Sequence, residues 1–359
     1  MQIVNEIKFN SKLRNYKVTF NDSMESISKV VNSSSVYLII DRKVYDLYES
    51  RLGVNLAKDH IALVDVAEEI KNIEYVMQLV RSIMNISAKK NIHLVSIGGG
   101  IIQDLSGFVA STLYRGVHWS YIPTTLLALA DSCVGGKTSL NFDSYKNLIG
   151  TFYPPHEIII NAEFTQTLEE LDYYSGVGEV VKLHLNGGTK TVDYLVNNLF
   201  QGIFSRNTDT ISNSIKSCLL IKKSFIEEDE FDQGRRNLLN YGHCFGHALE
   251  TATGYVYPHG QAIVAGMIMS NFVSVLRGFL TKEKEISLLD NLLKPILKID
   301  NQANIDKDEM IHAIKNDKKR VGAGLPLIIL RDDNSMIKID DVTEDEALLA
   351  LDYFTSISY

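Results

Sequence analysis

The chain has 359 residues, a formal net charge of −8, and 45% hydrophobic and 22% charged residues. This is the composition of a globular protein of roughly two domains. The acidic balance argues against a nucleic-acid partner, which would need an excess of lysine and arginine. Three cysteines without a CxxC pair, no signal-peptide pattern and no apolar run near the ~20 residues of a membrane span predict a cytoplasmic protein without a membrane partner.

The first half alternates strand-like and helix-like segments. Residues 36–41 form a short apolar run that ends in Asp41, typical of a buried parallel strand. An amphipathic helix is predicted over 68–90, and a strand over 93–97 leads into a glycine triplet. A helix over 104–114 and a strand over 119–122 follow. This alternation predicts an open parallel sheet with ligands at the carboxyl ends of its strands.

The character of the chain changes after about residue 172. Helical patterns dominate from 175 to 320, with one short strand-like run over 325–330. We therefore expect an α/β plus all-α protein. An N-terminal Rossmann-like parallel-sheet domain would span 1–172 and a C-terminal helical domain 173–359, with the active site in the cleft between them.

Several motifs of the first half are typical of anion binding. Gly98, Gly99 and Gly100 stand between a strand and a helix, where their N–H groups could bind a pyrophosphate, although a tight turn is equally compatible. Asp41 could bind ribose hydroxyls or be a loop residue, and Asp104 could cap its helix. The Gly-Gly-Lys-Thr of 135–138 is not a P-loop, because position 131 is aspartate.

A second group of polar residues could bind an anion if the fold brings its members together. These residues are Arg115, Lys137, Lys146 and Asn147. The alternative is that the lysines are ordinary surface residues.

The segment 236–247 contains the densest group of polar side chains. If it is helical, one face carries Arg236, Asn240, His243 and His247, at i, i+4, i+7 and i+11. Glu179 and two of the three histidines His243, His247 and His259 could form a catalytic zinc site of one carboxylate and two imidazoles. Buried core histidines and a Glu179–Lys182 ion pair remain alternatives. A metalloprotease is disfavoured, because Cys244 stands where the HExxH glutamate would be.

Taken in order, these segments resemble the 3-dehydroquinate synthase family of sugar phosphate cyclases. The shared motifs lie between about residues 36 and 326. They are Gly98-Gly-Gly-x3-Asp104, Tyr114-Arg-Gly116, Pro123-Thr-Thr-Leu-Leu-Ala128, Asp131-Ser-x-Val-Gly-Gly-Lys-Thr138, Lys146-Asn147, Gly178-Glu-Val-x-Lys182, Arg236-x3-Asn240-x2-His243-x3-His247 and His259-Gly260. The loop 141–147 and Gln261 depart from the family pattern.

The resemblance implies a role for each of these positions. The metal, usually Zn²⁺ or else Co²⁺, would be bound by Glu179, His243 and His259. The NAD-contacting positions would be Asp41, Glu68, Lys71, Gly98, Gly99, Gly100, Asp104, Thr124, Thr125 and Asp131, with Lys137 and Lys146. Substrate would be bound by Arg115, Lys137, Lys146, Asn147, Lys182, Lys222, Arg236, Asn240, His247 and Lys318, with Lys319 as an alternative to the last.

The resemblance also implies an activity. It is the conversion of 3-deoxy-arabino-heptulosonate 7-phosphate to 3-dehydroquinate and phosphate, in the shikimate pathway of aromatic amino acid biosynthesis, by a homodimer. NAD would act catalytically through transient oxidation, phosphate elimination, re-reduction and aldol closure. Three alternatives stay open: another cyclase, of the amino-dehydroquinate or valiolone type; a polyol dehydrogenase of the glycerol dehydrogenase type; and an inactive binding protein.

Overall fold

The structure is a computed structural model that describes residues 5–21, 23–143, 145–299, 305–315 and 325–357. The chain divides into two compact units. Unit 1 comprises Met1–Thr167 and Lys222–Phe231, and unit 2 comprises Leu168–Ile221 and Asp232–Tyr359. The predicted boundary at 172/173 assumes two continuous segments, whereas residues 222–231 group with unit 1.

Unit 1 is built on a mostly parallel sheet. Its strands are β1 (Glu6–Phe9), β2 (Tyr16–Phe20), β3 (Val36–Asp41), β4 (Ile61–Val64), β5 (His93–Gly98), β6 (His118–Pro123), β7 (Lys137–Phe142), β8 (Tyr145–Phe152) and β9 (Glu157–Ile160). Among the described residues, seven strands form one sheet in the order β1-β2-β9-β6-β5-β3-β4, in which only the β1–β2 pair is antiparallel. Residues 36–40 of β3 are all buried, as a strand covered on both faces requires. The predicted parallel sheet is confirmed.

Unit 1 has four α-helices among its described residues before Thr167, and a polar side chain caps each of the first three. They are α1 (Met24–Val31), α2 (Arg42–Leu52), α3 (Ile73–Asn85) and α4 (Gly100–Thr112). Asn72 accepts a hydrogen bond from the N–H of Tyr75, so α3 starts later than the predicted residue 68. Because α4 starts at Gly100, Asp104 lies inside this helix, and the capping role considered for it is wrong.

Unit 2 is mostly helical, as predicted. Its elements are α5 (Glu170–Asn186), α6 (Thr189–Tyr194), α7 (Phe200–Phe204), α8 (Thr208–Glu228), α9 (His243–Ala252), α10 (His259–Leu276), α11 (Lys282–Leu288), α12 (Lys307–Lys315), β10 (Leu325–Leu330), β11 (Met336–Val342) and α13 (Glu344–Ser356). The last residues of α8, from 222 onward, fall in unit 1. Strands β10 and β11 pair antiparallel, and a capping box of Thr343 and Glu346 starts α13.

Helix α10 is the core helix of unit 2. It is the one helix among the described residues that is long and apolar enough to cross a membrane, but 78% of its apolar window is buried inside the protein. Small residues let neighbouring helices approach it closely. A Cβ atom at Gly260 would lie 2.0 Å from the carbonyl oxygen of Ser175 on α5, so glycine is required at this crossing. The first turn of α10 is thereby held against α5.

Candidate metal centre and dinucleotide site

The predicted single helix through residues 236–247 is wrong. Residues Arg235–Asn240 form a 3₁₀ turn, and α9 begins only at His243. Between them Gly242 has φ +77°, and a Cβ atom there would lie 2.7 Å from the carbonyl oxygen of Ile263. Only glycine fits this left-handed position against α10. Arg236 and Asn240 therefore do not share a continuous helix face with the two histidines.

Three histidines of unit 2 converge. His243 and His247 are one turn apart on α9, and His259 is the first residue of α10. One ring nitrogen from each lies within 4.8 Å of the others, and the ring centroids are 5.2 to 5.5 Å apart. Metal–nitrogen bonds to zinc are about 2.0–2.1 Å, so small side-chain rotations would bring these nitrogens onto one cation. Within the described part of the chain, this cluster can hold a metal ion.

A buried carboxylate adjoins the histidine cluster. Glu179 on α5 is 1% exposed, and its Oε1 lies 3.7 Å from Nε2 of His259. Its Oε2 forms an ion pair with the ammonium of Lys182, which is equally buried. The ion pair considered from the sequence is thus present, and the same carboxylate faces the cluster. A carboxylate beside imidazoles fits a zinc or cobalt ion chemically.

Hydrogen bonds orient two of the imidazole rings. Nδ1 of His243 lies 3.1 Å from the carbonyl oxygen of Tyr241, and Nδ1 of His259 lies 3.2 Å from Oε2 of Glu250. Each Nδ1–H can donate, which leaves Nε2 for a cation. Burial lowers the pKa of His259, but Glu250 and Glu179 outweigh burial and hold this pKa above its usual value. Glu250 was not predicted from the sequence.

The other predicted residues of unit 2 are placed more loosely. Arg236 lies in the 3₁₀ turn, and the amide of Asn240 donates to the carbonyl of Asn237 at 2.9 Å. Lys318 and Lys319 lie outside the described residues.

In unit 1, some of the predicted dinucleotide residues lie at one edge of the sheet. Strands β3, β5 and β6 are neighbours whose carboxyl ends carry Asp41, Gly98–Gly100 and Thr124–Thr125. From β3 the sheet continues to β4 on one side and to β5 on the other, which makes this edge a topological switch point. Helix α4 starts at Gly100, so its free N–H groups point toward this edge. The residues fit a dinucleotide.

Main-chain contacts fix the glycine turn. The N–H of Thr124 donates to the carbonyl of Gly98 at 3.1 Å, and the hydroxyl of Tyr121 lies 3.0 Å from the same oxygen. Asp41 caps α2 by accepting from the N–H of Lys43 at 2.9 Å, and burial raises its pKa. Hydrogen bonds within the protein therefore hold both the turn and Asp41.

A polar network joins α4 to the hairpin β7–β8. Nζ of Lys71 donates to Oδ2 of Asp104 at 3.2 Å and to Oδ1 of Asn147 at 2.6 Å. The hydroxyl of Ser139 lies 2.9 Å from Asp104 Oδ2 and 2.8 Å from Asn147 Oδ1. Burial raises the pKa of Asp104, against the opposing effects of Lys71 and Ser139. The structure thus brings three predicted residues together around one serine that the sequence did not single out.

The remaining predicted residues of unit 1 are more dispersed. Oε1 of Glu68 accepts from the amide of Asn141 at 2.8 Å, and Nζ of Lys222 contacts Asp131 Oδ1 at 2.5 Å. Lys137 and Lys146 lie on the two strands of the hairpin, and the exposed Arg115, with φ +61°, ends a turn after α4. That Arg115, Lys137 and Lys146 form one anion-binding pocket stays a prediction.

Comparison with known proteins places both halves of the chain in one family. Residues 61–175 match the model for the 3-dehydroquinate synthase N-terminal region, and residues 176–320 match that for the C-terminal region. The 3-dehydroquinate synthase of Dictyoglomus thermophilum is 35% identical over 321 residues, which is 89% of each chain.

Solved structures share the fold. A 2-epi-5-epi-valiolone synthase from Streptomyces hygroscopicus subsp. jinggangensis, with NAD⁺ and Zn²⁺ bound, superposes with a TM-score of 0.85 at 24% identity, covering 96% of this chain and 98% of that one. A 2-deoxy-scyllo-inosose synthase, complexed with carbaglucose-6-phosphate, NAD⁺ and Co²⁺, gives a TM-score of 0.84 at 23% identity, covering 97% and 99%.

Proposed function

We propose that this chain, which belongs to the 3-dehydroquinate synthase family, converts 3-deoxy-arabino-heptulosonate 7-phosphate to 3-dehydroquinate and phosphate. The observation that carries the proposal is the buried carboxylate of Glu179 beside the three-histidine cluster. A family member that had lost its chemistry would have no reason to keep a costly buried charge beside imidazoles.

The metal centre is proposed to consist of Glu179, His243 and His259, with His247 facing the substrate. A divalent cation there, Zn²⁺ or Co²⁺, would polarise a substrate oxygen, and NAD⁺ would supply a transient oxidation, so that no net redox change occurs. The fit rests on the compact nitrogen cluster and on the Glu179 carboxylate. The ammonium of Lys182, held on Glu179, would bring positive charge to a substrate oxyanion.

The dinucleotide is proposed to bind at the switch point of unit 1. Gly98–Gly100 and the N-terminus of α4 would hold its pyrophosphate, with Asp41 on a ribose. Asp104, Thr124, Thr125, Glu68, Lys71 and Asp131 would complete the site, with Lys137 and Lys146. The internal hydrogen bonds of the glycine turn support this assignment, because a turn that they hold would lose little backbone entropy on binding.

We also propose a set of substrate-binding side chains. The phosphate and carboxylate of the substrate would be bound by Arg115, Lys137, Lys146, Asn147, Lys182, Lys222, Arg236, Asn240, His247 and Lys318. The net charge of −8 means that only a local group of cations can bind such a dianion. We further propose that the protein is a homodimer and that it acts in the cytoplasm. Size-exclusion chromatography with light scattering tests the first point, and localisation of a tagged chain tests the second.

The test is release of phosphate from 3-deoxy-arabino-heptulosonate 7-phosphate with catalytic amounts of NAD⁺ and Zn²⁺. We expect phosphate and 3-dehydroquinate in equal amounts and no accumulation of NADH. Sedoheptulose 7-phosphate and the amino analogue of the substrate are tested as alternative substrates. Phosphate release from either one in preference would identify another type of cyclase. Steady NADH formation from glycerol would instead identify a polyol dehydrogenase and overturn the proposal.

A further inference from the structure

We infer that Glu250 is a positioning residue that orients the imidazole of His259 toward the bound cation. The inference rests on the proposed function, because it concerns the same metal centre. It adds a carboxylate that does not itself touch the metal and that the sequence motifs did not single out.

The position of Glu250 is set by α9. His243, His247 and Glu250 stand at i, i+4 and i+7, so they project from one face of this helix. The carboxylate of Glu250 is 7% exposed, and its Oε2 is 3.2 Å from Nδ1 of His259 at the start of α10. A single helix face thus supplies one proposed metal ligand, His243, and the hydrogen-bond acceptor for another, His259.

The ring of His259 spans two carboxylates. Its Nδ1 faces Glu250, and its Nε2 lies 3.7 Å from Oε1 of Glu179. A hydrogen bond from Nδ1–H to Glu250 fixes the tautomer in which the Nε2 lone pair is available, and it holds the ring plane. A charged hydrogen-bond acceptor at Nδ1 also makes Nε2 more basic than a neutral acceptor would, so Nε2 becomes a stronger ligand for the cation.

His243 provides an internal comparison. Its Nδ1 is anchored by the neutral carbonyl of Tyr241 at 3.1 Å. That carbonyl precedes the first helical hydrogen bond of α9, from the N–H of Gly246 to the carbonyl of Gly242. Among the described residues no main-chain carbonyl contacts Nδ1 of His259, and the side chain of Glu250 takes that place.

The experiment measures metal affinity, independently of turnover. The full-length protein is stripped with a chelator and titrated with Zn²⁺ against a chromophoric competitor, for the wild type, Glu250→Ala and Glu250→Gln. We expect roughly 10- to 100-fold weaker Zn²⁺ binding for Glu250→Ala. Glu250→Gln keeps an acceptor oxygen but not the charge, so its loss should be smaller.

Two controls separate positioning from folding. Glu285→Gln alters another buried glutamate of unit 2, whose carboxylate accepts from the hydroxyl of Tyr353 at 2.7 Å, and it should bind Zn²⁺ as the wild type does. Thermal unfolding of the metal-free proteins tests whether each variant is folded. The visible d–d spectrum of the Co²⁺-loaded protein reports ligand geometry and should change in Glu250→Ala only if the ring is displaced.

The outcomes distinguish this inference from the proposed function. A folded Glu250→Ala protein with wild-type Zn²⁺ affinity and an unchanged Co²⁺ spectrum would overturn the role of Glu250 and leave the proposed function intact. If Glu250→Ala does not fold, Glu250→Gln decides in the same way. A wild-type protein that binds no metal would overturn the metal centre itself.

Discussion

His259 contacts a carboxylate from each edge of its ring, Glu179 at 3.7 Å and Glu250 at 3.2 Å. Replacing His259 by alanine removes one metal ligand and leaves Glu179 beside an emptied space. We expect His259→Ala to lose both bound metal and turnover, by at least 100-fold in affinity and rate. Metal analysis and phosphate release check the two losses, with His60→Ala in unit 1 as a control. An active, metal-free His259→Ala protein would contradict the assigned ligand set.

Ser139 holds two residues that are proposed to bind NAD and substrate. Its hydroxyl lies within hydrogen-bonding distance of both Asp104 and Asn147, and Asn147 has φ +53°, which the network must hold in place. We expect Ser139→Ala to raise KM for substrate or NAD⁺ roughly 5- to 20-fold, with a smaller change in kcat, since one charge-assisted hydrogen bond is lost.

Steady-state kinetics on both ligands measure this effect. Ser33→Ala is the matched control, because its hydroxyl donates only to the nearby carbonyl of Val30 in an exposed turn, at 2.9 Å. Unchanged KM values for Ser139→Ala would show that Asn147 keeps its position without the serine.

The sequence predicts individual residues only where the residue type carries the chemistry. The histidines and Glu179 are recognisable because imidazoles and carboxylates are uncommon among apolar helix positions. Glu250 and Ser139 are not recognisable in this way. Each acts through a partner that is distant in sequence or on another element, and no spacing rule links Glu250 to the start of α10 or Ser139 to Asn147.

At the scale of elements, the break at Gly242 determines where α9 begins. Gly242→Ala would place a Cβ atom 2.7 Å from the carbonyl of Ile263 and 2.8 Å from the side chain of Met267, in addition to the left-handed strain. We expect a loss of about 2–4 kcal/mol in the free energy of unfolding and a marked loss of metal affinity. Denaturant unfolding and Zn²⁺ titration measure the two effects.

Gly278→Ala is the matched control for this glycine. Gly278 has φ +71° but no atom within 4 Å of an added Cβ. Its replacement should cost only the strain of a left-handed alanine, about 1–2 kcal/mol, and should leave Zn²⁺ affinity unchanged. An equal loss of unfolding free energy in Gly242→Ala and Gly278→Ala would contradict this account. It would show that close packing against α10 does not determine where α9 begins.

The elements differ in how far the sequence predicts them. The central strands are predicted because each is a continuous apolar run, which only a sheet covered on both faces accommodates. The hairpin β7–β8 was missed because most of β8 is exposed or half-buried and its pattern carries no clear alternation. The helix break was missed because Gly242 is constrained by α10, which lies in contact with it only after folding.

At the scale of the whole molecule, both units contain histidines that folding keeps neutral. Burial, with a contribution from His118, lowers the pKa of His93 to about 4, and burial, with the nearby Arg14, lowers that of His156 to about 3. In unit 2, burial lowers the pKa of His184 to about 4. A folded pKa below the unfolded value of about 6.5 means that the unfolded chain binds more protons. The stability from these groups is therefore complete above pH 6.5 and declines as the pH falls toward 4.

Unit 1 offers a direct measurement of this effect. Trp119 is the only tryptophan of the chain, it is buried in unit 1, and its backbone N–H donates to Nδ1 of His156 at 3.2 Å. Trp119 fluorescence can follow denaturant unfolding at each pH. The free energy of unfolding should be lower at pH 5.5 than at pH 7.5, by on the order of 2 kcal/mol. The double variant His93→Gln/His156→Gln should lose clearly less over this range, because glutamine does not titrate. His312→Gln, at an exposed position on α12, should behave as the wild type does. Parallel pH profiles for the wild type and the double variant would show that neither histidine is kept neutral by the fold.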